Sequence, residues 1–117
     1  MPTEVIYKIV PAGLWRQAET AGRFTGAPID VADGYIHFSS PSQVSETARR
    51  HFAGQPDLLL VAVDVARLGA ELRWEPSRGG DLFPHLYGTL LFSAVRSVVT
   101  LPLGPDGVHR FPEGVAP

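Results

Sequence analysis

The sequence predicts one small α+β domain in which short β-strands and two main helices share a single core. Three observations lead there. A chain of 117 residues with 44% hydrophobic content supplies one core of ordinary thickness, not two. Residues 5–10, 58–65 and 95–101 are apolar or β-branched runs of strand length. Two further segments repeat their apolar residues at helical spacing and carry cap residues at their ends.

Residues 5–10 alternate as a first strand, which Pro11 and Gly13 end. Leu14, Trp15, Ala18 and Ala21 then fall on one face of a short helix, and Gly22 stands where a left-handed C-terminal cap is expected. Gly26, Pro28, Asp30 and Asp33 favour turns, so residues 23–33 read as a loop leading into a strand at 34–38. Ser40, Pro41 and Gln43 form a helix start: an N-cap, a proline at the first helical position and a glutamine placed to close a capping box. Val44, Thr47, Ala48, His51 and Phe52 share one face of that helix, and Gly54 ends it.

The nearly continuous apolar run at 58–65 fits a strand covered on both faces, at the centre of a sheet. Residues 71–75 read as another strand, followed by a loop, Pro76 to Gly80. Residues 85–92 read as a less regular strand interrupted by Gly88. Beyond 95–101, the stretch 103–117 is rich in glycine and proline and is expected to be a surface tail. No repeat or linker divides the chain, so 1–117 reads as a single domain.

Charged residues make up 19% of the chain and no segment has the apolar length that spans a bilayer, so a soluble protein without a membrane partner is expected. The first residues carry no export signal, which points to the cytoplasm. Cysteine is absent, which removes disulfides, thiolate nucleophiles and cysteine metal sites. Net charge is −2 and Lys8 is the only lysine, so a phosphate-neutralising face for nucleic acid is disfavoured. A small ligand held by a few arginines and backbone amides is the expected partner.

The candidate site centres on the 34–40 segment. Strand alternation puts Tyr35 and His37 on the face opposite Ile36 and Phe38, so one pair enters the core and the other can face a cleft. Ser39 and Ser40 lie at the helix start, where free amides favour an anion; capping and turn support are the plainer roles for the same residues. His85 and Tyr87 share a strand face, as a ligand-facing pair or as a packing corner behind Phe83 and Pro84. Glu75 and Asp81 flank the 76–80 loop and are the carboxylates available for acid–base work, or else are simply solvated. Arg73 and Arg78 are placed to balance those charges or to hold phosphate. His51 reads as a buried structural histidine, Trp15 and Trp74 as core or cleft-wall aromatics, and His109 as incidental. A metal centre of His37, His85 and Glu75 lacks any short-range ligand spacing, and no metal is expected.

Several phrases together resemble the bacterial domain of unknown function 952 family. They are Ile6-Tyr7-Lys8-Ile9, Trp15, Asp33 to Ser40, Gln43, Arg73-Trp74-Glu75 and Phe83 to Gly88, and they cover nearly the whole chain. The family looks like a small relative of the ADP-ribosyltransferase fold, a split β-sheet core whose facing sheets form a cleft for nicotinamide adenine dinucleotide (NAD). The Ile36 to Ser40 phrase and the helix after it also resemble the histidine-leucine-serine segment of RNA 2′-phosphotransferases. The resemblance puts His37 at the central motif position. It puts Lys8 at the first-strand position that often holds histidine in this family, and histidine or arginine in the wider fold. His85 falls about where many ADP-ribosyltransferases place a glutamate.

The resemblance implies a cleft for a nucleotide or phosphorylated small molecule, with NAD as the possible cofactor. His37, His85 and Glu75 would be its catalytic residues, and Lys8, Ser39, Ser40, Arg73, Asp81 and Tyr87 its ligand contacts. The alternative is a non-catalytic ligand-binding or interaction module, consistent with histidine in place of the motif glutamate. Phosphotransfer on RNA is a third reading, opposed by the acidic balance.

Overall fold

The computed structural model describes residues 3–113 and 115. Among the described residues six strands form two small antiparallel sheets, accompanied by three helices and a few short helical turns. In the first sheet β3 (Leu58–Asp64) lies between β1 (Val5–Pro11) and β6 (Val95–Leu101). In the second, β5 (Leu82–Leu86) lies between β2 (Ile36–His37) and β4 (Leu72–Pro76). Helix α1 is Ala12–Ala21, α2 is Pro28–Asp33 and α3 is Val44–His51.

The central position of β3 follows from its composition. Val61 and Val63 face a core shared with Ile6 and Val10 of β1, Ile36 and Leu86 of the second sheet, and Trp15 and Phe24. On the opposite face Leu58 and Leu60 pack with Ile9, Leu101 and the α3 residues Val44 and Ala48. A strand desolvated on both sides has no use for alternating polar residues, and the sequence contains none until Asp64.

The two sheets are stitched together by one stretch of chain. Ile36 and His37 pair with Leu86 and His85, and the Phe38 amide donates to the Pro84 carbonyl at 3.0 Å. One residue later the chain changes partner: Ser39 and Tyr7 exchange two backbone hydrogen bonds of 2.8 Å each. Residues 36–39 therefore pair with the second sheet at one end and with β1 at the other.

Several expectations need correction. The 23–33 segment is not simply a loop, because Pro28–Asp33 forms α2. Its proline occupies the first turn, the Asp30 carboxylate accepts the Ala27 amide at 2.7 Å, and Gly34 closes it at φ 87°. The strand expected at 85–92 instead spans Leu82–Leu86 and stops before Gly88. Helix α3 begins at Val44, after a turn through Pro41, Ser42 and Gln43. Ser40 Oγ meets Ser42 Oγ at 3.2 Å and caps no amide, whereas the glutamine half of the predicted box is present, with the Ser40 amide donating to Gln43 Oε1 at 2.9 Å. His51 is exposed, not buried. In the predicted tail His109 is buried, with Nε2 against the Gln55 carbonyl at 2.8 Å.

Candidate functional site

The register of the second sheet assembles the site. Pairing His37 with His85, His85 with Arg73, and Phe83 with Glu75 places the alternate residues of all three strands on one face. Ile36 and Leu86 occupy the other face and are buried in the core. Tyr35, just before β2, and Tyr87, just after β5, extend the polar face. Its aromatic rings touch in series: Tyr35 lies 4.2 Å from His85, 4.6 Å from His37 and 5.1 Å from Tyr87, centroid to centroid. The two imidazoles are edge to face at 5.5 Å.

Below this shelf sits a carboxylate that the sequence reading took only for a turn residue. Asp30 of α2 is 1% exposed. Its Oδ1 lies 2.7 Å from His37 Nδ1 and 3.1 Å from the His37 amide, and its Oδ2 accepts from Ala27. Lys8 Nζ lies 3.1 Å from Oδ2 and also donates to the His37 carbonyl at 2.8 Å. Lys8 is buried because strand alternation puts it on the same face of β1 as Ile6 and Val10. Burial pushes the Lys8 ammonium below its ordinary pKa despite the pull of Asp30. The same burial would raise Asp30, but the bonds from His37, the Lys8 charge and two backbone amides outweigh it and hold the carboxyl below the usual range.

A second carboxylate, Asp33 Oδ2, lies 2.9 Å from His37 Nε2, so both nitrogens of this ring have acidic partners. His85 is held from one side only. Its Nδ1 lies 2.9 Å from Glu75 Oε1, and Nε2 has no hydrogen-bond partner among the described residues. The side chain is nearly buried, and Trp15 Nε1 is a fully enclosed nitrogen without a partner among those residues. Tyr87 donates to the same Glu75 oxygen at 2.7 Å, and the Arg73 guanidinium lies 5.0 Å from the Tyr87 ring centre. The Tyr87 bond, then the His85 bond, lower the Glu75 pKa, and the same carboxylate raises that of the Tyr87 phenol.

Residues 9–98 match the family model described as a protein of unknown function, DUF952. The chain belongs to this family. Among solved structures, the crystal structure of protein CC0527 from Caulobacter crescentus is 48% identical, with a TM-score of 0.87 over 91% of this chain and 93% of that one. The solution structure of the same protein is 49% identical, with a TM-score of 0.80 over 89% and 90%. No curated protein matches the chain.

Of the sequence-derived candidates, this DUF952 chain brings His37, His85, Glu75, Tyr87 and Arg73 onto one face. The others lie elsewhere. Lys8 is beneath that face, with its ammonium committed to Asp30 and the His37 carbonyl. Ser39 and Ser40 are buried, and Ser39 Oγ pairs with Thr47 Oγ1 at 2.8 Å. Asp81 is exposed at the far end of the β4–β5 hairpin. Trp15 is in the core, whereas Trp74 is exposed. The Arg78 side chain lies outside what the structure describes. Among the described residues no three His, Asp or Glu side chains are grouped to hold a metal ion, and no helix is long and apolar enough to cross a membrane.

Asp30 and Asp33 escaped sequence reasoning as partners of His37, although a proline followed two residues later by aspartate is itself a helix-start signal. Gly26 belongs to the same construction. At φ 122°, it sits so that an added Cβ would lie 2.8 Å from Asp30 Cβ. Gly26→Ala is expected to cost about 1–3 kcal/mol and to loosen His37. Urea denaturation together with the His37 imidazole resonances checks both effects.

Proposed function

We propose that the polar face of the β2–β5–β4 sheet binds a nucleotide-like small molecule such as NAD and carries chemistry of the ADP-ribosyl-transfer type. The observation that carries this reading is the Glu75–His85 pair: the carboxylate lies 2.9 Å from Nδ1, and Nε2, beside an aromatic shelf, has no hydrogen-bond partner among the described residues. Two antiparallel sheets joined along the Tyr7–Ser39 seam support the split-sheet relationship. In this reading the shelf of Tyr35 and Tyr87 takes a planar ring, Arg73 at the margin faces a phosphate, and His37 orients the ribose, a ribose hydroxyl taking the place of the exposed Asp33 carboxylate at Nε2.

The transfer breaks the bond between nicotinamide nitrogen and ribose carbon, the electron pair leaves with neutral nicotinamide, and the oxygen of an acceptor hydroxyl or of water bonds to the same carbon. Glu75 supplies the negative charge that stabilises the sugar cation, and His85 Nε2 accepts the proton of the attacking hydroxyl. Lys8, Asp30, Ser39 and Ser40 act from behind by fixing His37 and the helix start.

The test is a titration of isotope-labelled protein with NAD, ADP-ribose and nicotinamide, followed by NMR, with released nicotinamide measured by chromatography. Shifts at Tyr35, His37, His85 and Tyr87 with slow release are expected. Failure of all three ligands to move those resonances rejects the reading. Shifts without release would identify a non-catalytic binding module, a reading favoured by the two hydrogen bonds that already engage Glu75.

A further inference from the structure

A cavity of about 580 Å³ opens between α3 and residues 107–111, and includes none of the residues of the polar face. Its size lies within the roughly 300–1,000 Å³ of sites that enclose small ligands. Ala48, Val108, Phe111 and Val115 supply apolar wall. Phe111 and Val115 are also packed against the core beneath α3.

Two polar side chains interrupt this wall. Ser45 and His109 are each 5% exposed. Both residues line the cavity, and neither Ser45 Oγ nor His109 Nδ1 has a hydrogen-bond partner among the described residues. The bond from His109 Nε2 to the Gln55 carbonyl places that nitrogen's hydrogen, so neutral His109 presents Nδ1 as an acceptor. Arg49 lies one helical turn from Ser45 on the same face of α3, lines the cavity and has no acidic partner among the described residues. The other lining arginine, Arg110, is held by Asp106 at 3.1 Å and by the Val108 carbonyl.

We propose that this cavity is a second binding site, for a small carboxylate with an apolar body. Arg49 and the Ser45 hydroxyl receive the carboxylate, the apolar wall receives the hydrocarbon, and His109 Nδ1 receives a hydrogen-bond donor where the ligand has one. A buried hydroxyl and imidazole lining an apolar space are costly unless something polar meets them there, and the Arg49 guanidinium, without an acidic partner among the described residues, selects negative charge.

The probe is octanoate, with 1-octanol and octylammonium as uncharged and cationic counterparts of equal chain length. In NMR titrations of the full chain, octanoate is expected to shift Ser45, Ala48, Val108, His109 and Phe111 while leaving His37 and His85 unmoved. Arg49→Gln should weaken octanoate binding about tenfold without changing that of octanol. Ala53→Trp, at an exposed position lining the cavity, should block both while retaining native spectral dispersion. The proposal is overturned if octanoate binds no more tightly than octanol, if Arg49→Gln leaves its affinity unchanged, or if the shifts map elsewhere. It stands or falls separately from the reading of the polar face.

Discussion

Replacing Asp30 with alanine is expected to remove about 3–5 kcal/mol of stability, because it strands the buried Lys8 ammonium and frees the His37 ring and amide together. The residue is 1% exposed and accepts from Ala27, His37 and Lys8, so neither water nor a neighbouring group takes over its role. Urea unfolding measures the loss. Removing both charges in Lys8→Met/Asp30→Ala should cost less than the sum of the single changes, since the stranded ammonium is then gone. An additive result would show that the pair is not coupled. The folded carboxyl lies below its ordinary value, so Asp30 supplies stability that is complete above the ordinary carboxylate range. That contribution disappears as pH falls through the folded value. Asp30→Ala should therefore show a weaker loss of stability on acidification than the parent chain.

For the polar face, His85→Ala is expected to lower nicotinamide release about 10²–10⁴-fold, the usual contribution of a general acid or base. The side chain is nearly buried, so folding must be checked separately by thermal unfolding. Tyr87→Phe provides a milder comparison. It removes the principal bond that depresses Glu75, so the Glu75 carboxyl should move back toward the ordinary range while His85 keeps its partner. A shift in the acid limb of the pH–rate profile in that direction ties Glu75 to the reaction. A parent-like rate in His85→Ala removes the imidazole from any chemical role.

Much of the scaffold was legible because its signals are local. The residues 95–101 emerge as β6 without adjustment, and the apolar run ending at Asp64 is the central strand, since double-sided burial leaves an unbroken hydrophobic stretch. Alternation correctly separated Ile36 and Phe38 from Tyr35 and His37, and correctly put His85 and Tyr87 on one face. Helix α2 was missed because Pro28, Asp30 and Gly34 serve turns and helix ends by the same backbone chemistry, and six residues are too few to display a helical period. The Asp30–Lys8–His37 cluster was illegible for a different reason. Its members come from α2, β1 and β2, and only tertiary packing brings them together. His109 illustrates the same limit, since nothing in a glycine- and proline-rich stretch signals a contact with Gln55.

The join between the sheets has a further consequence for how this protein can change over evolutionary time. The four residues from Ile36 to Ser39 both carry a ring of the polar face and weld the halves of the molecule, so altering them to adjust selectivity also alters assembly. β4 lies at the other edge of that sheet, so Arg73 and Glu75 reach the polar face without belonging to that weld. A substitution on β4 is therefore felt by the polar face alone, whereas one at the joint is felt by the face and by assembly together.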